Sequence, residues 1–88
     1  MHETKYALIQ RYGLTCMLCG KHFPYRQIQW HHIKPKYVSK RAKKPPDDSI
    51  ENGALLCLDC HACIHEYGWW DDEYQLLTEI ILEYKENH

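Results

Sequence analysis

The sequence lacks any run of about 18 apolar residues, so no segment of it is long and apolar enough to cross a bilayer as a helix. Its first residues, Met1-His2-Glu3-Thr4-Lys5, lead into a polar-apolar mixture without the apolar core of a secretory leader, and the expected location is cytoplasmic. An excess of charge is also missing: 11 Lys and Arg face 12 Asp and Glu, for a net charge of -1. That excludes a global basic field, and any grip on a polyanion must come from a local cluster. Length is short too. A chain of 88 residues is read as one domain, 1–88, near the size at which a hydrophobic core alone becomes marginal and a metal staple helps.

Cysteine, in contrast, is plentiful. There are five, an odd number, and four fall into two C-x-x-C pairs, Cys16/Cys19 and Cys57/Cys60. In a reducing compartment that pattern favours zinc over disulfides. The spacing lets a tight turn aim two thiolates at one ion, so Cys16, Cys19, Cys57 and Cys60 are expected to close a structural four-thiolate zinc site. Gly20 permits a left-handed turn after the first pair. The pairs are 37 residues apart, so further elements must be inserted between them. Cys63 has no partner at ligand spacing and is expected to be a small buried residue.

The second pair runs into histidines: Cys57-Leu58-Asp59-Cys60-His61-Ala62-Cys63-Ile64-His65. On a helix, His61 and His65 lie one turn apart on one face. Neighbours such as Cys60 and His61 point in different directions, so two sites back to back are expected, one rich in sulphur and one in nitrogen. The second needs a third ligand. Residues 27–33 alternate as a strand does, with Ile28, Trp30 and His32 on one face and Gln29, His31 and Ile33 on the other. His31 can then complete a three-histidine site with open positions, while His32 stands beside the metal without binding it. A neutral imidazole there can take a proton from water. Asn52 has no evident packing role, and its amide can bond backbone on both sides and fix its loop against the strand.

The remaining segments frame this set. Residues 3–12 read as a short packing helix with Gly13 as its C-cap. Lys34, Lys36, Lys40, Arg41, Lys43 and Lys44 precede the first acid of a stretch running to Ser49, in which Pro35, Pro45 and Pro46 are expected to deny regular structure. A basic loop after the histidine pair suits phosphate contacts near a reactive centre. A short helical turn over 49–53, capped by Ser49, and a strand over 54–57 follow. The histidine helix is expected over roughly 58–67, ended by Gly68. Asp71 and Asp72 offer N-cap chemistry to a helix over about 71–86. Its apolar face is Tyr74, Leu77, Ile81 and Tyr84 with Leu76 and Ile80, and its acidic face is expected to lie away from the active face.

Trp30-His31-His32-Ile33-Lys34-Pro35, then Glu51-Asn52-Gly53-Ala54-Leu55-Leu56-Cys57-Leu58-Asp59-Cys60-His61, then His65, together resemble the HNH endonuclease family over roughly residues 14–67. The namesake positions are His32, Asn52 and His61. The resemblance implies a small α+β fold with a ββα-metal core, the C-x-x-C pairs binding a structural zinc, flanked by N- and C-terminal helices. It implies His32 as general base, His31 and His61 as ligands of a catalytic divalent metal, Asn52 as the loop-fixing asparagine, and His65 as either a metal ligand or a holder of the scissile phosphate. A histidine at position 31, often aspartate in the family, tilts the choice among Mg2+, Mn2+, Ni2+ and Zn2+ toward nitrogen-loving ions. The implied activity is metal-dependent hydrolysis of DNA phosphodiesters, with RNA left open, leaving 5′-phosphate and 3′-hydroxyl ends. Cutting both strands with one such site would call for a homodimer or a larger nuclease complex. No membrane partner is expected. Two other readings fit part of the sequence: a non-catalytic, treble-clef-like zinc module that binds nucleic acid or protein, and a purely structural two-zinc domain.

Overall fold

The computed structural model describes residues 3–45 and 47–88. Helix α1 spans Glu3–Tyr12, a single 3-10 turn follows at Tyr25–Gln27, and strand β1 is Ile28–His32. Helix α2 is Lys36–Arg41, strand β2 is Gly53–Cys57, and helices α3 and α4 are Leu58–His65 and Asp72–Asn87. Pro46, one of the prolines expected to break the basic loop, lies outside the described residues.

The two strands pair antiparallel, with Ile28 opposite Cys57, Trp30 opposite Leu55, His31 opposite Ala54 and His32 opposite Gly53. Every residue of β2 is buried, because α1 and α3 both pack on it. That explains its unbroken apolar sequence, where a strand with one wet face would alternate. The core gathers Leu8 from α1, Met17, Ile28, Leu55, Leu56, Ile64 from α3, and Tyr74 and Ile81 from α4. Each of these large side chains contributes about 1.5–3 kcal/mol on burial; α3 packs on both strands, and α4 joins the core through Tyr74 and Ile81.

Helix α1 ends where expected. Gly13 takes φ +79° and its N–H bonds the Ile9 carbonyl, the left-handed close that other residues adopt only with strain. Gly20 takes φ +78° after Cys19, and the Thr15–His22 bridge closes the loop that carries the first cysteine pair.

Several expectations are corrected. The basic stretch is not irregular: α2 forms within it, and Pro35 is its N-cap. Proline is tolerated there because the first-turn N–H groups have no intrahelical acceptor and its φ of -62° leads into the helix. Residues 49–53 form tight turns rather than a helix, with Asn52 N–H bonding Ser49 O. Ser49 does not cap them; its own N–H donates to the Asp47 carboxylate at 3.0 Å. Helix α3 stops at His65, before Gly68, and Gly68 does not have a positive φ. Asp71 sits at the N-cap of α4 but turns backward, accepting the Gly68 N–H at 2.7 Å. Cys63 is exposed, because the face of α3 that meets the core is that of Ile64. The apolar face of α4 is narrower than expected: Tyr74, Thr78 and Ile81 are buried, whereas Leu76 and Ile80 are about half exposed. Tyr74, on the apolar face in the first turn of α4, reaches His31.

Candidate active site

The sheet and α3 create two centres that share one junction. At the first, Cys16, Cys19, Cys57 and Cys60 offer four sulphurs within 4.8 Å of one another. Each pair repeats one device: the Cys16 Sγ accepts the Cys19 N–H at 3.5 Å, and the Cys57 Sγ accepts the Cys60 N–H at 3.5 Å. Cys57 is also the N-cap of α3, so the same sulphur starts the helix. Burial alone would raise the Cys16 thiol, but backbone N–H donors from Cys19, Cys57 and Leu18 outweigh it and hold the group at about 7. Burial pushes the Cys60 thiol up, and the neighbouring Cys57 and Cys16 sulphurs push it further. Four sulphurs gathered so closely could hold one metal ion, and the donor set fits zinc.

The second centre holds His31, His61 and His65, whose ring nitrogens also lie within 4.8 Å of one another. His31 is delivered by β1 and is 2% exposed, while His61 and His65 come from one face of α3 with their Nε2 atoms 2.8 Å apart. Burial, then the neighbouring His61, His65 and His32, push the His31 pKa down to about 3. Burial, then His65, push His61 down to about 4. Both rings are therefore neutral at pH 7, the protonation state in which imidazole binds a metal.

Hydrogen bonds at the back of the rings set which nitrogen is free. Gln29 Oε1 faces His61 Nδ1, which fixes the proton on Nδ1 and leaves the Nε2 lone pair directed toward His65. Tyr74 Oη donates to Ile33 O at 2.9 Å and lies 3.3 Å from His31 Nε2. Its one proton is committed to the carbonyl, so it accepts from His31 Nε2–H and leaves His31 Nδ1 unprotonated. Three imidazoles, two of them held neutral with a defined free nitrogen, fit a divalent ion and leave positions open.

His32 points away from this cluster, as strand alternation requires, yet it borders the same cleft. Trp30, His32, Lys36, Tyr37, His61 and His65 are among the residues around a cavity of about 500 Å³. The Trp30 ring lies 4.2 Å from the His32 ring, and His32 Nε2 is 2.7 Å from Asp48 Oδ1. Asn52 is 8% exposed and ties the intervening segment at three points. Its Oδ1 accepts Lys34 N–H at 2.8 Å, and its Nδ2 donates to Asp47 O at 2.8 Å and Lys34 O at 3.2 Å. The residue that bonds His32, Asp48, is therefore carried on a segment pinned to the end of β1.

Of the six basic residues, Lys36, Lys40 and Lys44 line one groove with Tyr37, and Arg41 lies over the Trp70 ring. Lys34 contributes its backbone to the Asn52 bonds. Lys43 closes α2 with φ +57°, and Lys44 N–H reaches back to Ser39 O.

Sequence reasoning missed Gln29, Asp48, Gly53, Tyr74 and Lys85. Gln29 was detectable as the same-face neighbour of His31. Asp48 and Tyr74 carry no local signal beyond the rule that a buried tyrosine hydroxyl needs a partner. Gly53 is small because a Cβ there would lie 2.8 Å from Leu8 Cδ1 and 2.9 Å from Trp30 Nε1. Lys85 Nζ donates to the carbonyls of Ile50 (2.7 Å), Glu51 and Gly53, clamping the turn that bears Asn52.

Among the described residues, no helix is long and apolar enough to cross a membrane. No curated protein matches the chain. A family model described as HNH endonuclease matches residues 16–66, from the first cysteine to the residue after His65.

Proposed function

We propose a function from one premise: the chain belongs to the HNH endonuclease family. It is a metal-dependent endonuclease that hydrolyses phosphodiester bonds, with DNA as the expected substrate. The observation that carries this reading is the shared cleft. His32, which is outside the imidazole cluster, borders the same cavity as His61 and His65 of that cluster. A base and an ion site facing one space are what in-line attack on a phosphate needs.

His31, His61 and His65 would hold the divalent ion, Mg2+, Mn2+, Ni2+ or Zn2+, with the nitrogen set favouring the later metals. When bound, that ion supplies the positive charge that polarises a phosphate oxygen and offsets charge on the leaving oxygen. The protein's own groups do the rest. Asp48 draws the His32 proton onto Nε2, leaving Nδ1 to accept one from an attacking water. Trp30 packs on the His32 ring and limits its rotation. Asn52 holds the segment that presents Asp48. The cysteine site keeps a structural zinc and fixes the start of α3, and with it the direction of His61 and His65. Lys36 at the cleft edge provides a phosphate contact.

The test is nicking of supercoiled plasmid by the zinc-loaded protein and by His32→Ala, with each divalent ion added in turn and zinc content measured in both. Metal-dependent nicking by the parent and none by the folded variant is expected. Equal nicking by both would remove His32 from the role of base. If both were inert on plasmid, single-stranded DNA and RNA with every ion, the non-catalytic zinc module would be the better reading.

A further inference from the structure

Beside the histidine cleft, α2 carries a second surface, of which the mechanism above uses only Lys36, at the shared edge. Lys36, Tyr37, Lys40 and Lys44 line a groove of about 450 Å³. Tyr37 also borders the histidine cleft, so the two spaces share a wall. Next to it the Trp70 ring lies 6.0 Å from the Tyr37 ring at 49°, and the Arg41 guanidinium sits 5.1 Å over Trp70. Trp70 is 61% exposed and Tyr37 44%.

The Tyr37 ring is exposed but not loose. The Tyr37 hydroxyl accepts the Trp69 N–H at 2.6 Å, and the Trp69 ring packs at 5.7 Å from Tyr74, the residue that reaches His31. The platform is thus tied to the same tyrosine that orients a cluster histidine. The cations are available as well. Among the described residues, no carboxylate lies within 4.0 Å of the charged groups of Lys36, Lys40, Arg41 or Lys44.

A tethered tyrosine and an exposed tryptophan flanked by unpaired cations suit a polyanion that also offers flat π-faces. In a duplex those faces are hidden in the base stack, and only the phosphates would engage. In a single strand they are open, and stacking on an aromatic ring adds to phosphate contact without needing a particular base. We propose that Tyr37, Trp70 and Arg41 form a stacking platform for unpaired nucleobases, with Lys36, Lys40 and Lys44 holding the adjoining phosphates, so that the strand led into the cleft is single-stranded or locally opened. Asp71 and Asp72, next to Trp70, repel phosphate on their side and direct the backbone along the lysine side. The assignment of this strand as the substrate rests on the nuclease reading; its binding to the platform does not.

The experiment is equilibrium binding in the His32→Ala background, so that cleavage is not required. The probes are homopyrimidine oligonucleotides of about 12 nucleotides, a length within the usual span of a single-strand site, as DNA and as RNA, beside a DNA hairpin with the same number of phosphates. The platform predicts tighter binding of a single strand than of the hairpin and quenching of tryptophan fluorescence that is absent in Trp70→Phe. It predicts a loss of roughly fivefold or more in single-strand affinity for Trp70→Ala, partial retention for Trp70→Phe, and little change in hairpin binding for either. The stronger of the DNA and RNA arms identifies the strand. Equal affinity for hairpin and single strands, or unchanged single-strand affinity in a Trp70→Ala protein with parental zinc content and circular dichroism, overturns the proposal. Failure of the parent protein to cleave plasmid, single-stranded DNA and RNA with every ion, with this binding pattern intact, would refute the nuclease reading alone.

Discussion

Asn52→Asp changes almost no volume and isolates what the amide does. The carboxylate keeps the bond from Lys34 N–H but cannot donate to Asp47 O or Lys34 O, the two acceptors of Nδ2 at 2.8 and 3.2 Å. Two lost bonds at about 1 kcal/mol each give about 2 kcal/mol. Facing a carboxylate with two carbonyl oxygens in a site only 8% exposed adds roughly 1–2 kcal/mol, for a total of about 3–4 kcal/mol at neutral pH. The sign with pH follows from the same contacts. They raise the folded-state pKa of the new acid above its unfolded value, so the penalty is full above the folded pKa. It shrinks as pH falls through that value, because the protonated acid regains one donor. Urea unfolding of zinc-loaded parent and variant at pH 7.5 and pH 5.5 measures both effects. If Asn52→Asp were as stable as the parent at pH 7.5, or if its deficit grew on acidification, the amide would not be what holds this segment.

Three further outcomes are expected. Gly53→Ala should lose about 1–3 kcal/mol to overpacking against Leu8 and Trp30, and because Trp30 abuts His32, nicking should fall too; a melt and a nicking rate check both. Tyr74→Phe removes the acceptor of His31 Nε2–H and should weaken ion binding at the imidazole site by about 10–100-fold, measured by titration with Ni2+ while the cysteine-bound zinc is held constant. His31, at about 3 when folded against 6.5 when free, leaves the unfolded chain binding more protons between those values, so urea stability without an ion at the histidine site should fall as pH drops below about 6.5, by up to about 1.4 kcal/mol per pH unit from this group. Stability that stayed level from pH 7 to pH 5 would contradict a buried neutral imidazole.

Local patterns carried much of this architecture. The two cysteine pairs needed only their spacing, and strand alternation was enough to send His31 and His32 to opposite faces. Helix α1 and its glycine close could be read from periodicity and one residue. The placement of Asn52 between two backbone segments followed from an amide with no packing role. Helix α2 is hidden in the sequence because a proline can equally break a helix or stand at its start, and Pro35 stands at a start. Cys63 was misplaced because α3 buries so narrow a face that residue type is a poor guide to exposure there. Asp48, Tyr74 and Lys85 were invisible for another reason: their partners are 16, 43 and 32–35 residues away, and their bonds exist only once the chain has folded.

Cys57 ends β2, caps α3 and belongs to the sulphur cluster, and His61 and His65 ride on the helix it starts. The two centres are thereby linked thermodynamically. An ion on the imidazoles would hold α3 in the geometry that the cysteine site needs, and zinc on the cysteines would hold it in the geometry that the imidazoles need. By reciprocity, whatever factor zinc adds to affinity at the histidines must return to zinc when the histidine site fills. On the proposed reading, loss of the ion from the cysteines would loosen the helix that carries His61 and His65 while every histidine was still intact.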